Sequence, residues 1–435
     1  MPRTEKIGSA SLQIDVASPP SWTFAAGDTI IGTVIRLSPI VAPEATVTID
    51  LIGRVKTKIS VRKNTGNGTR TEHYRGRWIL IRTSQVLHRG PLHLAEGHGI
   101  GSDCLSWPFS IEIPTRPLAS LAQNNSDQQS YLPLNNVAEH PLPGSFYSFR
   151  NGWSTKSEAF VEYYLESTIR YTRKGSYETG NATRPVTLQH PSSGSIPASQ
   201  QLQRRTFQIT VQTQRLLPGM EHAELSFTQK TKKFFHSSKV PTFGFNIEIH
   251  LPSAIELEIP SPIPFVIKFS SNTVSTSPII QDTVQTVRLN SVRMLLKSTT
   301  TVIAPGNFLA SNTHNDTQSN EHDLGLHTIF SKLEKPIEFE STKGDQEVDI
   351  GTMLQLILCP NGLYTGSRRL GLVSPISPDF VTYNIKHWNA LLLEFLFTVA
   401  DEKVERKFSV PIKIMPPARQ RPELPEYSKK QEDST

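Results

Sequence analysis

An all-β architecture of two tandem antiparallel β-sandwiches is the fold class that this sequence predicts, and three observations predict it. Apolar and polar residues alternate with period two along most of the 435 residues, the spacing that turns one side of a strand to a core and the other to water. Proline, at 32 residues, outnumbers glycine, at 25; inside a helix it removes a donor and clashes with the preceding turn, which argues against long helices. A low-complexity stretch, residues 191–204, then divides the alternating segments into two sets.

The first set opens with Leu12, Ile14 and Val16 on one face and Ser11, Gln13 and Asp15 on the other. A turn at Ala26-Gly27-Asp28 leads into Ile31, Thr33, Ile35 and Leu37, read here as the next core-facing run. Val47, Ile49 and Leu51 start a third strand that continues through Gly53 and Val55 to Ile59 and Val61. Trp78 with Leu80, then Leu105, Trp107, Phe109, Ile111 and Ile113, follow. A long alternation from Val161 through Tyr163, Leu165 and Ile169 to Tyr171, and Val186 with Leu188, close the set. About seven strands separated by Gly, Pro and Asn clusters read as an immunoglobulin-like sandwich, here assigned to residues 1–190. Two segments, 62–76 and 116–158, are polar and are expected to be long loops.

The second sandwich is assigned to residues 205–415. Its strands are expected at Phe207–Val211, Phe243–Leu251, Ile263–Phe269, Val287–Leu295, Ile350–Leu358, Leu391–Val399 and Phe408–Ile414, with 306–323 a polar insertion. By length and propensity Trp388–Ala400 also suits a buried helix, and periodicity alone leaves the choice open. Residues 416–435 are charged and proline-rich, and are expected to form a disordered tail.

Composition excludes several function classes. Two cysteines, Cys104 and Cys359, cannot build a disulfide framework or a cysteine-rich zinc site; both are expected to be structural thiols, Cys104 in or near a core. The start, MPRTEKIGSASLQID, has no apolar signal-peptide centre, and no run reaches 18 apolar residues, so a cytoplasmic protein is expected. The formal charge is +6, but the basic residues interleave with aliphatics and no nucleic-acid-binding motif accompanies them. No nucleic-acid partner is expected. Gly97-His98-Gly99-Ile100-Gly101 has the wrong spacing for a phosphate loop, and no G-x-S-x-G elbow occurs. His314, His322 and His327 with Asp316 and Asp323 lack metal-site spacing. Neither catalysis nor a cofactor is expected.

Several segments resemble the arrestin family. Phe24–Val34 (FAAGDTIIGTV), Ala45–Thr57 (ATVTIDLIGRVKT) and Trp107–Pro114 (WPFSIEIP) are similar to landmarks of an arrestin N-terminal domain. Leu142–Phe146 (LPGSF) and Phe160–Glu166 (FVEYYLE) resemble the fungal, α-arrestin-like branch. Phe245–Pro252, Ser261–Phe265, Val292–Val302 and Phe380–Ile385 look like the C-terminal domain. The resemblance spans most of residues 9–415. It implies a trafficking adaptor, recruited to the plasma membrane or endosomes, that links cytoplasmic tails of transporters or receptors to a HECT-type ubiquitin ligase. A ligase-independent sorting or coat subunit on the same fold is the alternative.

Two constellations carry that expectation. Leu424-Pro425-Glu426-Tyr427 resembles the family's Pro-Pro-x-Tyr ligand for WW domains, with Leu424 in place of the first proline. Pro425 presets a polyproline II turn for an aromatic groove, and Tyr427 fills the adjoining pocket. Lysines of the same tail, Lys429 and Lys430, are candidate ubiquitin acceptors. The second constellation is basic: strand parity puts Arg54, Lys56, Lys58 and Arg62 on one face and Val55, Ile59 and Val61 on the other. Such a face suits anionic lipid or a phosphorylated cargo tail. Lys230, Lys232 and Lys233 form a second basic cluster that could extend it.

Overall fold

The computed structural model describes residues 3–19, 22–64, 66, 68–95, 104–120, 128–173, 175–191, 202–220, 240–306, 313–371 and 375–417. In the first half these form β1 (Gln13–Val16), β2 (Thr23–Phe24), β3 (Thr29–Arg36), β4 (Ile40–Asn64) and β5 (Thr69–Leu94). They continue with β6 (Leu105–Glu112), β7 (Phe146–Asn151), β8 (Thr155–Arg173) and β9 (Ser176–Leu188). The second half holds β10 (Leu202–Gln212), β11 (Thr242–Pro252), β12 (Ala254–Glu256), β13 (Val266–Ser271) and β14 (Thr286–Ala304). After these come β15 (His314–Asp323), β16 (Ile337–Glu340), β17 (Gln346–Asp349), β18 (Leu356–Cys359), β19 (Gly362–Thr365) and β20 (Arg368–Arg369). Last are β21 (Phe380–Val381), β22 (Ile385–Val399) and β23 (Glu402–Met415). The fold is all-β, as expected.

The first half pairs a three-stranded sheet, β1-β3-β6, with a six-stranded one, β2-β9-β8-β4-β5, in which β7 lies in line with β9 along the same edge of β8. Among the described residues the second half carries a four-stranded sheet, β10-β11-β13-β17, a seven-stranded one, β12-β23-β22-β14-β15 with β16 on β14 and β21 on β22, and a small three-stranded one, β18-β19-β20. Among the described residues pairing is antiparallel except for two short parallel contacts, β2 with β9 and β12 with β23. Each half has its own apolar core. Leu12, Val34, Ile49, Leu165 and Ile169 are fully buried in the first, as are Phe245, Ile267, Leu296, Leu393 and Val399 in the second.

Several elements depart from the pattern reading. Residues 62–64 and 69–76, read as part of a loop, are strand: β4 and β5 pair across this stretch to Asn64↔Thr69. The polar insertion 306–323 holds β15, paired with β14 from Leu295↔Asp323 to Ala304↔His314. Within 116–158 lie β7 and the start of β8, joined by a turn at Gly152 to Ser154. Trp388–Val399 is strand, with Leu391, Leu393, Phe395 and Phe397 buried in alternation, and Ala400 begins the turn that follows. Ile350–Met353, expected as strand, is a helical turn capped by Asp349, whose side chain accepts from the Thr352 N–H. β10 begins at Leu202, inside the stretch read as linker, because its residues pair with β11 from Leu202↔Pro252 onward.

The core face of β3 is the opposite of the one expected: Ile30 and Val34 are buried, while Ile31 is 43% exposed. Both faces of that strand carry aliphatics, so parity alone could not choose. Arg36 follows Val34 inward, and its guanidinium is satisfied by the carbonyls of Ser11, Ser38 and Pro39. Cys104 is exposed just ahead of β6 and is not part of a core; Cys359 is partly buried.

The feature that positions everything else is the length of β4 and β5, 25 and 26 residues. Near 3.3 Å per residue such a pair reaches about 80 Å when extended, far beyond the three short strands facing its first part. Its far inner surface is covered by the second half. Trp78 stacks on Tyr383 with ring centroids 4.7 Å apart, and Tyr74 stacks on His314 at 3.6 Å. Thr57, fully buried, donates to the Ile303 carbonyl at 2.7 Å and accepts from Asn384 Nδ2 at 3.1 Å. Opposite Thr57 on β5 sits Gly76, where a Cβ would lie 2.6 Å from Thr57 Oγ1 and 3.0 Å from Asn384 Nδ2. Glycine is what lets the two halves approach this closely.

Gly76→Ala should therefore cost about 1–3 kcal/mol by overpacking the junction. Gly68→Ala, where a Cβ meets nothing within 4 Å, should stay near wild type. Urea unfolding of the two variants checks the contrast; equal midpoints would show that the halves do not meet at Gly76.

Candidate functional site

The outer face of the six-stranded sheet is the chemically distinctive surface. The even residues of β4 point outward while Val55, Thr57 and Ile59 are buried, so Arg54, Lys56, Lys58 and Arg62 do share one face. They are not equivalent. Arg54 is drawn down into an ion pair with Glu162 at 2.6 Å, its side chain only 13% exposed, and its guanidinium lies 4.7 Å over the Tyr164 ring. Glu162 also accepts from the Thr4 N–H, and Thr4 Oγ1 accepts from Arg54. Arg54 is thus a clasp for the N-terminal segment. Lys56 lies along Phe160, with its ammonium 5.6 Å from the ring centre. Its pKa is lowered by burial first and by Arg54 next.

Register adds cations that strand parity within β4 could not show. Lys56 lies opposite Arg77 and Lys58 opposite Arg75 on β5, and both arginines are exposed. On β8, Lys156 pairs with Ser60 and Glu158 with Lys58, so Glu158 is an acid among these bases. The field is felt by His73, which bonds Ser60 Oγ at 2.8 Å. Its pKa is lowered by burial, then by Lys58 and Arg75.

Aromatic rings border the cations. Tyr147 and Phe149 on β7 pair with Phe160 and Glu158, which turns them to the same face, and they are 47% and 54% exposed. In the β7–β8 turn, Trp153 is 91% exposed. The Arg62 guanidinium lies 5.9 Å over its ring, and the Arg62 N–H donates to the Ser154 carbonyl. These exposed rings stand too far from the basic strand in sequence for parity to connect them.

The opposite face of the same sheet end holds the junction between the halves. Arg150 on β7 points inward and donates to Asp316 at 2.8 Å and to the Thr317 carbonyl; Ser157 donates to the other Asp316 oxygen at 2.6 Å. Nearby, Phe380 sits between His190 and His387, at 4.8 and 5.8 Å, and Phe146 closes on both Phe380 and His387. An open groove of about 680 Å³, bordered by Phe380, Lys386, His387, Trp388 and Lys413, adjoins this cluster.

The histidine–aspartate group considered as a metal site is dispersed. His314 stacks on Tyr74, Asp316 holds Arg150, and Asp323 pairs with Arg293 at 2.7 Å. Among the described residues no group of three or more His, Cys, Asp or Glu is placed to hold a metal ion. No described helix is long and apolar enough to cross a membrane. Leu424, Pro425, Tyr427, Lys429 and Lys430 lie outside the described residues, as do Gly97–Gly101 and the cluster Lys230, Lys232 and Lys233. No protein-family model matches the chain, and a search of curated proteins returns no match.

The junction carries a pH signature. His387 is 5% exposed, bonds Thr300 Oγ1 through Nδ1 at 2.9 Å, and burial lowers its pKa to about 4. His190 is also lowered to about 4, by burial and then by His387. Both are neutral in the folded protein. Below pH 6.5 the unfolded chain takes up protons that these rings refuse until about pH 4. Stability is therefore intact above 6.5 and falls as pH drops towards 4, by about 3 kcal/mol for His387. His190 keeps some exposed surface and contributes less. Asp379, raised by burial, works in the opposite direction near the carboxylate range. Thermal unfolding of wild type should fall steeply from pH 6.5 to 4, and His387→Gln should flatten that slope. A parallel fall in both proteins would show that His387 is solvated in the native state.

Proposed function

We propose that the protein is a non-catalytic adaptor of arrestin type, which links a membrane transporter or receptor to a HECT-type ubiquitin ligase and so promotes cargo ubiquitination and endocytosis. One observation carries this reading. Seven of the nine segments that carry the resemblance overlap strands or a strand turn of the two halves, at β3, β4, β6, β8, β11, β14 and the β21–β22 turn, while Leu142–Phe146 and Ser261–Phe265 lie in the connections that lead into β7 and β13.

The geometry suits a platform. The outer face of β4 and β5 gathers cations for an anionic partner at a membrane, while the inner face locks the halves together. The tail beyond Met415 then leaves from β23, so its Leu424-Pro425-Glu426-Tyr427 segment would be tethered to the platform. A ligase WW domain would bind that segment through Pro425 and Tyr427. Leu424 lacks the rigid ring of proline, so a single such segment should bind in the micromolar range, about −7 kcal/mol.

A peptide of residues 419–432 should bind a HECT-ligase WW domain in calorimetric titration, and Tyr427→Ala should weaken it at least tenfold, about 1.4 kcal/mol. In cells, affinity capture of the wild-type chain should recover the ligase, and capture of the Tyr427→Ala chain should not. Equal recovery would remove ligase recruitment through this motif.

A further inference from the structure

We infer that the outer face of the six-stranded sheet is a docking surface for an anionic lipid bilayer, with Trp153 as the residue that enters it. The adaptor reading matters to this only in bringing the protein to a membrane; it names the anionic partner of the face already described.

Three observations point to a bilayer. The first is the protruding ring. Trp153, at 91% exposure, caps the β7–β8 turn with Arg62 over its face. A folded partner would need a pocket matched to that ring, whereas a lipid phase closes around any protruding apolar group. Tryptophan settles at the membrane–water interface because its ring is apolar and its N–H is polar. The Arg62 guanidinium above the ring is then at headgroup depth, where phosphate oxygens can accept from it.

The second is the layout of charge. Lys56 and Lys58 on β4, Arg75 and Arg77 on β5 and Lys156 on β8 project from adjacent strands, which lie about 4.8 Å apart. A two-dimensional array of cations faces a planar sheet of anions without distortion. The acids nearby are Glu158 beside Lys58 and Glu162, which Arg54 already engages.

The third is the backbone. β4 and β8, which carry Lys56, Lys58 and Lys156, are interior strands whose backbone groups pair on both sides, whereas β5, which carries Arg75 and Arg77, ends the sheet; the central part of the face therefore offers an extended peptide no edge to join by strand addition. Side chains alone face outward there. Tyr147 and Phe149, 47% and 54% exposed and paired with Phe160 and Glu158 on β8, extend the aromatic border from the turn back along the face, with the Arg3 guanidinium 5.1 Å over the Tyr147 ring. A single-stranded RNA could also use rings among cations, and it serves as the competing outcome.

The test uses the purified full-length protein in flotation with phosphatidylcholine vesicles, with and without phosphatidylserine. Neither ligase nor cargo is present, so failure here leaves the adaptor reading standing, and loss of ligase capture leaves this inference standing. Wild type should float only with phosphatidylserine, and high salt should release it. Lys58→Ala and Arg75→Ala should each weaken binding about fivefold. Trp153→Ala should weaken it about tenfold with a nearly unchanged melting curve, since a ring 91% exposed gives up little beyond its contact with Arg62. Lipids brominated in the acyl chain should quench part of the wild-type tryptophan fluorescence and less of that in Trp153→Ala. Absent or composition-independent binding would overturn the inference. So would flotation and quenching undiminished by Trp153→Ala, or Trp153-dependent binding of single-stranded RNA or a phosphopeptide without vesicle binding.

Discussion

A strand pair that outruns its own sandwich governs this molecule. β4 and β5 have an inner surface longer than β1, β3 and β6 can cover. Uncovered, the far end would expose Tyr74 and Trp78, both about 1% exposed in the fold. The second half supplies the cover: Tyr383 on Trp78, His314 on Tyr74, and the Ile303 carbonyl with Asn384 around Thr57. The polar groups matter as much as the rings, because a buried hydroxyl left unpaired costs about 1–3 kcal/mol. Thr57 both donates and accepts, which fixes where β14 and the turn before β22 must lie. The halves are thereby joined through a packed interface and not only through the covalent connection.

Fixing the inner face leaves the outer face of the same strands for chemistry. Val55, Thr57 and Ile59 hold β4 in register, and that register sets Lys56 and Lys58 beside Arg77 and Arg75. The Arg54–Glu162 pair belongs to structure, since it ties residues near Thr4 across the sheet. Its neighbours stay outward because Phe160 and Tyr164 fill the space beneath them. At the far end of β4 one strand thus separates two surfaces by parity: Val55, Thr57 and Ile59 face the junction, and Lys56 and Lys58 face outward.

Much of this was legible in the sequence. Alternation identifies most of the strands, and the basic face of β4 follows from counting in twos. Elsewhere local pattern and tertiary context diverge. Residues 62–76 read as loop because their inward side carries Tyr74 and a glycine where aliphatics would be expected, and the groups that complete their burial come from His314 and Asn384, over 200 positions away. β15 reads as a polar insertion for a related reason. It is an edge strand, held by backbone pairing to β14 and by Asp316 to Arg150 and Ser157. Ile31 and Ile30 are equally apolar, so β3 hid which face was core until β1 and β6 were placed. Arg75, Arg77 and Trp153 join the candidate site only through cross-strand register, which no local window contains.

Coupling between Trp78 and Tyr383 tests the shared junction most directly, because the two rings belong to different halves and meet nowhere else in sequence. A double-mutant cycle with Trp78→Leu and Tyr383→Leu, read by urea unfolding, should return a coupling energy on the order of 1 kcal/mol. Strict additivity, within about 0.3 kcal/mol, would mean that the second half does not cover β4 and β5, and would contradict the account.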